Sequence, residues 1–200
     1  MKVTLIRQDV FKLAVPILAE QLFVASLGMV NTMMAGHISK EAVSAIGMVD
    51  SFNNILIAFF SSLAVGGTVV VAQYIGQKNK KMANNAMKQS LYSGVFIALV
   101  ITLLIFLFKQ QLIYVLYGSA DKIVINYAKI YFGITIITYP MIALDLIANG
   151  VLRGSGDSKT PMKITMFMNI VNVILSYSLI YGINLKIAGF HIYTSGMGVR

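Results

Sequence analysis

The sequence predicts an all-α fold, a polytopic transmembrane helix bundle, on three observations. Hydrophobic residues make up 58% of the 200 positions and charged residues only 12%, whereas soluble domains are about 45–50% apolar. The mean hydropathy of +0.79 is correspondingly high. The apolar residues also occur in runs long enough to cross a hydrocarbon core of about 30 Å, which takes roughly 20 residues of helix.

We expect about five membrane crossings, and the third and fifth contain no charged residue. Pro16 in the first crossing and Pro140 in the fourth are the expected kink sites, because proline removes a backbone hydrogen bond. The sequence has no tryptophan, so tyrosines near the predicted ends are expected to form the interfacial aromatic belt. The five predicted spans cover residues 13–35, 45–74, 90–108, 124–152 and 164–181.

The orientation follows from the positions of lysine and arginine, which are enriched in cytoplasmic loops. If the N-terminus is cytoplasmic, ten of the 16 basic residues lie on the inner side and six on the outer side. We therefore expect a multi-pass protein of the plasma membrane with a cytoplasmic N-terminus. Such a protein is expected to have the lipid bilayer as a partner.

The stretch LRGSGDSKTPMK is the expected cytoplasmic turn between the fourth and fifth helices. Gly154 and Gly156 are expected to end one helix by adopting backbone angles that other residues avoid. Pro161 is expected in the first turn of the next helix, where a missing N–H is tolerated. Arg153 and Asp157 lie in the same turn. They have either a specific function or only the structural role of polar residues in a capped, solvated loop.

Composition excludes several functional classes. The net charge of +9 does not indicate nucleic-acid binding, because the basic residues fall in short gaps between apolar runs instead of clustering beside aromatic side chains. The absence of cysteine excludes disulfides and thiol catalysis within these residues. Two histidines near segment ends make a metal site improbable, and no nucleophile and base are paired as an enzyme requires. We expect neither a metal nor an organic cofactor.

Polar residues recur at helical spacing inside four of the predicted spans. Asn, Ser and Thr at such positions often only form hydrogen bonds between helices. Carboxylates are more informative, since an acid at a helix centre costs roughly 2.5–3.5 kcal/mol and therefore faces a bundle interior or a wet cavity. The aligned sets are Glu20 and Asn31; Asp50, Asn54, Ser61 and Thr68; Tyr131, Thr138, Asp145 and Asn149; and Thr165, Asn169, Asn172 and Ser176.

Glu20, Asp145 and Asn172 are expected at one depth. Each lies eight or nine residues from a basic residue at the predicted cytoplasmic boundary, which corresponds to about 12–14 Å at 1.5 Å per residue. Asp50 is expected in the outer third instead. A midplane layer of polar groups on interrupted helices is where secondary transporters place their substrate and ion sites, although a structural polar core remains the alternative. Small residues at Gly28, Thr32 and Gly36, and at Ser62 and Gly66, are expected to mark close helix contacts.

Several strings resemble, in order and spacing, the successive helices of a multidrug and toxic compound extrusion (MATE) transporter. They are LAVPILAEQL, VNTMMAGHISKEAVSAIGMVDS, SLAVGGTVVVAQYIGQ, GVLRGSGDSKTPM and NIVNVILSYSLIYG. The resemblance implies a twelve-helix antiporter of two lobes that extrudes small organic, often cationic, compounds in exchange for H⁺ or Na⁺ by alternating access. Residues 1–200 would form one transmembrane domain, most of the N-terminal lobe, with a sixth helix beginning near GMGVR. The second lobe is absent from this chain, and the chain alone is not expected to transport.

Two positions depart from the family pattern. Many members have an acid in the first helix where this sequence has Asn31, and some have an aspartate in the fifth where it has Ser176. Neither residue can release a proton, so ion coupling in this lobe would depend on Glu20, Asp50 or Asp145, and the coupling ion stays open. A lipid-linked oligosaccharide flippase of related architecture is the alternative function. It would be expected to line its cavity with several Arg or Lys, which the midspan positions lack.

Overall fold

The structure is a computed structural model of the chain. It describes the backbone of residues 2–36, 40–118, 120–181, 183–187 and 190–194, and side chains mainly within residues 10–30, 40–118 and 120–178. Five helices follow one another and are succeeded by a short antiparallel hairpin. The helices are α1 (Lys2–Gly36), α2 (Lys40–Gly76), α3 (Lys80–Tyr117), α4 (Lys122–Gly154) and α5 (Lys159–Tyr181), and the strands are β1 (Ile183–Ile187) and β2 (Phe190–Thr194).

The predicted helical fold is confirmed, and every predicted span falls inside one helix. All five helices are longer than their predicted spans. Pro16 and Pro140 both lie inside uninterrupted helices. The residues from 195 onward, where a sixth helix was expected, lie outside the described part of the chain.

Four helices among the described residues are long and apolar enough to cross a membrane. These segments are Val10–Val30, Val43–Gly76, Lys80–Tyr117 and Lys122–Gly154. α5 is not one of the four, although it is a helix of 23 residues. The fifth crossing, predicted over residues 164–181, therefore stays a prediction.

The chain divides into two compact units. One contains residues 1–43 and 159–200, and the other contains Ser44–Ser158. In the first unit α1 packs against α5. Pro16 and Glu20 of α1 are buried, as is Pro161 in the first turn of α5, where the sequence placed that proline.

In the second unit, α4 lies against both α3 and α2. The largest buried cluster is apolar and contains Phe60 of α2, Ala98 of α3 and Phe132, Ile136 and Tyr139 of α4. Large apolar side chains also cover the outside of this unit, and Ile137 and Met141 are about 70% and 72% exposed. An apolar exterior around a packed interior is what a bilayer environment requires.

Two glycines of α4 allow its backbone to approach α2 closely. A Cβ atom on Gly154 would lie 2.6 Å from the carbonyl oxygen of Thr68 in α2, and one on Gly150 would lie 2.7 Å from the Thr68 hydroxyl oxygen. Gly150 and Gly154 are four residues apart and form the small-residue contact that brings helices together in membranes. A Cβ built at Gly66 would meet no atom of another helix within 4 Å among the described residues, so the close contact expected there is not found.

Both turns on the predicted cytoplasmic side end a helix with the same hydrogen-bond pattern. After α4, the Gly156 N–H donates to the Arg153 carbonyl and the Asp157 N–H to the Leu152 carbonyl, each at 3.0 Å. Gly156 has a φ of +93°, as this Schellman arrangement requires. The expectation is therefore correct for Gly156 and wrong for Gly154, which is helical and is small because of its contact with Thr68.

After α2, Lys78 occupies the corresponding position with a φ of +58°. Its N–H donates to the Ile75 carbonyl, and the Asn79 N–H donates to the Tyr74 carbonyl. The Asn79 side chain then accepts a hydrogen bond from the Met82 N–H at 3.1 Å and caps α3. The polar segment between the second and third helices is thus a tight, fully bonded connection.

We predict that Gly154→Ala destabilises the chain by about 1–3 kcal/mol, because the added methyl group would overlap a backbone carbonyl that has no flexible end to move. Gly66→Ala is the matched control, since that position has open space and alanine favours helix. Thermal unfolding of the purified chain in detergent measures both. An equal melting temperature for the two variants would contradict the close-contact argument.

Candidate functional site

A network of polar side chains joins α2 to α4 inside the second unit. The Asn53 amide nitrogen and the Tyr131 hydroxyl group donate hydrogen bonds to the same carboxylate oxygen of Asp50, at 3.2 and 3.3 Å. The Tyr139 hydroxyl group donates to the Asn53 amide oxygen at 2.7 Å. Tyr139 is only 1% exposed. The Asp50–Tyr139 network (Asp50, Asn53, Tyr131 and Tyr139) therefore satisfies a carboxylate within the predicted membrane with donors from two helices.

Helical periodicity identified only half of this network. It aligned Asp50 with Asn54 and Tyr131 with Thr138, but Asn54 and Thr138 are exposed. Thr138 donates to its own helix, at the Thr135 carbonyl. The residues used are the immediate neighbours Asn53 and Tyr139. The signal available in the sequence was Tyr139 itself, which lies inside a predicted span directly before Pro140. A tyrosine buried there needs a hydrogen-bond partner for its hydroxyl group.

Asp145 lies one and a half turns beyond Pro140 on α4. Its side chain is exposed in this chain and accepts a hydrogen bond from the buried Asn149 amide at 3.2 Å. Asp145 and Asn149 thus lie on one face of α4, as periodicity predicted. The exposed Asp145 side chain does not pack in the interior of this unit, and the alternative expectation of a wet cavity stays a prediction.

Glu20 is the buried acid of the first unit. It is 5% exposed, and one of its carboxylate oxygens accepts a hydrogen bond from the Thr165 hydroxyl group of α5 at 3.3 Å. Periodicity placed Thr165 on the polar face of α5, and in the structure this face contacts Glu20 of α1. Asn31 also lies in α1, but its side chain is outside the described residues.

An apolar groove runs between α1 and α5 beside this acid. It has a volume of about 300 Å³ and is lined by Phe23, Ser26, Leu27 and Val30 of α1 and by Met166, Asn169, Ile170, Val173 and Ile174 of α5. The amide nitrogen of Asn169 is buried and has no hydrogen-bond partner among the described residues. Apolar walls with a single unsatisfied polar group are typical of a site for small organic molecules.

The remaining polar residues of α5 are more open. Asn172 is exposed, and its amide oxygen accepts a hydrogen bond from Ser176 at 3.4 Å. Glu20 and Asn172 belong to one unit and Asp145 to the other, so a single polar layer containing all three stays a prediction. The structure describes no group of three or more His, Asp or Glu side chains placed to hold a metal ion.

Arg153 and Asp157, the residues of the predicted cytoplasmic loop, lie at the end of α4. The carbonyl of Arg153 and the N–H of Asp157 take part in the helix-ending turn described above. A specific role for either side chain stays a prediction.

Comparison with known proteins gives the family. The profile of the MatE family matches residues 16–178. The chain is 27% identical over 177 residues to the probable multidrug resistance protein NorM of Thermotoga maritima, and 28% identical over 175 residues to the uncharacterized transporter YisQ of Bacillus subtilis. Each alignment covers 88% of this chain but only 38% of the relative.

Solved structures show the same fold. The outward-facing conformation of a multidrug resistance MATE family transporter of the MOP superfamily superposes with a TM-score of 0.82 and 21% identity. A MOP superfamily transporter from Pyrococcus furiosus gives a TM-score of 0.81 and 21% identity. Both cover 86% of this chain and 38% of the solved chain. With a family profile that matches most of its length, this chain belongs to the MatE family of membrane transporters, which are not enzymes.

Proposed function

We propose that the chain forms the N-terminal lobe of a secondary active efflux transporter, which exchanges small organic, cationic compounds for H⁺ or Na⁺ by alternating access. Membership of the MatE family supports the transport reaction. A relative from Staphylococcus haemolyticus, the multidrug export protein MepA, is 25% identical over 178 residues. The chain spans only 38% of its first relatives, so the complete activity requires a longer protein.

The feature that best supports ion coupling is Asp145. A carboxylate on the outer face of a membrane helix is too costly to leave in contact with acyl chains. The face that contains Asp145 therefore lines a wet cavity or meets another part of the complete transporter. Asn149 fixes the carboxylate from the same helix. A group that is wet in one conformation and enclosed in another binds a cation unequally in the two, which is the requirement for coupling.

Glu20 is the second candidate for the coupling site. It is buried between α1 and α5 next to the apolar groove, so binding of an organic cation and protonation of this acid would be linked electrostatically. The groove itself fits the hydrophobic part of such a compound, and the Asn169 amide offers it one hydrogen bond. Asp50 is a weaker candidate, because its network already supplies two donors to one oxygen.

We predict that Asp145→Asn in the complete transporter leaves membrane insertion unchanged but reduces gradient-driven efflux by about 5- to 150-fold, the range typical of coupling free energies. Asparagine keeps the size and hydrogen bonding of the residue and removes its charge. Efflux of a fluorescent organic cation under imposed H⁺ or Na⁺ gradients measures the effect. Glu20→Gln is assayed in parallel, and Asp121→Asn, an exposed acid in the turn before α4, is the control. An Asp145→Asn protein with the parent's gradient dependence would eliminate this residue from coupling.

We predict that Tyr139→Phe lowers stability without changing the gradient dependence of efflux. The variant removes the hydrogen bond to Asn53 and leaves the partly buried Asn53 amide oxygen without this donor, which costs about 0.5–2 kcal/mol in membrane proteins. Thermal unfolding in detergent and the same efflux assay separate the two properties. If efflux lost its response to the ion gradient while the melting temperature stayed constant, the Asp50–Tyr139 network would belong to the coupling machinery instead of the scaffold.

We predict that the turn at residues 77–79 and the turn at 153–158 both face the cytoplasm. The chain has no cysteine, so Gln77→Cys and Ser155→Cys can be tested singly with an impermeant thiol reagent on intact cells. Both should resist labelling, and Gln110→Cys at the opposite end of α3 should react readily. The reverse labelling pattern would overturn the proposed orientation.

A further inference from the structure

The ends of α3 and α4 that lie opposite the 77–79 turn form a basic surface. Two adjoining pockets, of about 630 and 570 Å³, are open here and share Tyr114 and Lys129. Lys109, Gln110 and Gln111 line the first pocket, and Lys122, Asn126 and Tyr127 line the second. We refer to these eight residues as the Lys109–Lys129 surface. None of the described residues that line either pocket is acidic.

The position of this surface along the membrane normal follows from the sequence. Residues 90–108 of α3 are uncharged, and Lys109 is the first charged residue after them. At about 1.5 Å per residue this run is roughly 28 Å long, close to the thickness of the hydrocarbon core. On α4, Lys129 is followed by the uncharged residues 130–144. Lys109 and Lys129 therefore lie at the level where acyl chains meet phosphate groups.

The chemistry of the surface suits a phosphate diester. Each lysine ammonium group carries a charge and three donors, and the amides and phenols add neutral donors. The Lys109 ammonium group lies 4.8 Å from the centre of the Phe106 ring, a cation–π contact that holds the side chain close to its own helix. Asp121 is the only acid between Lys109 and Lys129 in the sequence, and it lines neither pocket. The local charge is therefore positive.

The surface continues into apolar side chains on its membrane side. Phe106 and Leu107, which precede Lys109 in α3, line the first pocket. Leu103 on α3 and Ile130 and Ile134 on α4 are exposed as well, and Leu107 and Ile134 are each 63% exposed. A ligand that fills this region must combine a phosphate group with hydrocarbon chains, which is the construction of a phospholipid.

We propose that the Lys109–Lys129 surface is a binding site for one anionic phospholipid. Its phosphate lies between Lys109 and Lys129, its polar headgroup reaches Lys122 and Tyr127, and its acyl chains lie along the exposed leucine and isoleucine side chains. A net negative headgroup is favoured over a zwitterionic one because several lysines and no lining acid surround the phosphate. Each lysine that contacts the headgroup strengthens binding of the anionic lipid by about fivefold.

The proposal can be tested by native mass spectrometry of the full chain in a mild detergent, titrated with phosphatidylglycerol or with phosphatidylcholine of the same acyl chains. The unmodified chain should retain phosphatidylglycerol preferentially. The double variant Lys109→Gln with Lys129→Gln should bind phosphatidylglycerol about 25-fold more weakly, which corresponds to two lysines. The double variant Lys109→Arg with Lys129→Arg keeps the charges and should bind as the parent does.

The matched control is Lys80→Gln with Lys81→Gln, which removes two positive charges from the other end of α3 and should leave the preference intact. If the Lys109 and Lys129 double variant does not fold, the exposed single variant Lys129→Gln should still lose about fivefold. Equal binding of the two lipids by the parent, or an equal loss in the control, would overturn the proposal. Displacement of the lipid by an equal concentration of soluble glycerol phosphate would also overturn the proposal. Loss of the lipid when the chain dimerises would overturn it as well.

Discussion

The architecture of the second unit depends on one constraint, the near-contact between the backbones of α2 and α4 at Thr68. Two glycines leave no side chain between the helices at this point. Dispersion forces fall steeply with distance, and in a bilayer they are not supplemented by a hydrophobic drive between helices. The close approach at Gly150 and Gly154 therefore sets the spacing at which the larger side chains of the cluster around Phe60 and Tyr139 can interlock.

The same spacing determines which polar groups can meet farther along the two helices. Asn53 lies about four helical turns from Thr68 on α2, and Tyr139 lies about three turns from Gly150 on α4. Because the helices remain close over that length, the Tyr139 hydroxyl group reaches Asn53 directly. The Asp50–Tyr139 network is thus a consequence of helix packing as much as of residue choice. Its donors keep a carboxylate compatible with a low-dielectric interior.

Much of this fold could be predicted because the bilayer imposes strong rules on a sequence. Length and hydropathy located five helices, and the turn chemistry around Gly156 and Pro161 located the end of α4 and the start of α5. The helix partners could not be predicted in the same way. Ser62 and Gly66 have the same spacing as Gly150 and Gly154, and only the tertiary fold distinguishes the open position of Gly66 from a close contact.

The candidate site was also only partly predictable. Periodicity places a residue on a face of an ideal helix, with an uncertainty of about one position, because 100° per residue leaves neighbours at the edges of one face. That uncertainty explains why Asn54 and Thr138 were selected where Asn53 and Tyr139 are used. Acids inside the predicted spans are more robust signals, since a carboxylate within the membrane needs polar partners or water. Glu20 meets Thr165, and Asp145 meets Asn149.

Pro140 separates two parts of α4 that are held to α2 by different contacts. Proline leaves the carbonyl four residues earlier without its helical donor, so the turn between Ile136 and Pro140 resists flexing less than the rest of the helix. On one side of that turn, Tyr139 and Tyr131 fasten α4 to the polar side chains of α2. On the other side, Gly150 and Gly154 fasten it to the backbone of α2. A helix that is held at two places and lacks a hydrogen bond between them can bend there, so that its two halves move as separate rigid segments. Asp145 lies on the segment that begins at Pro140.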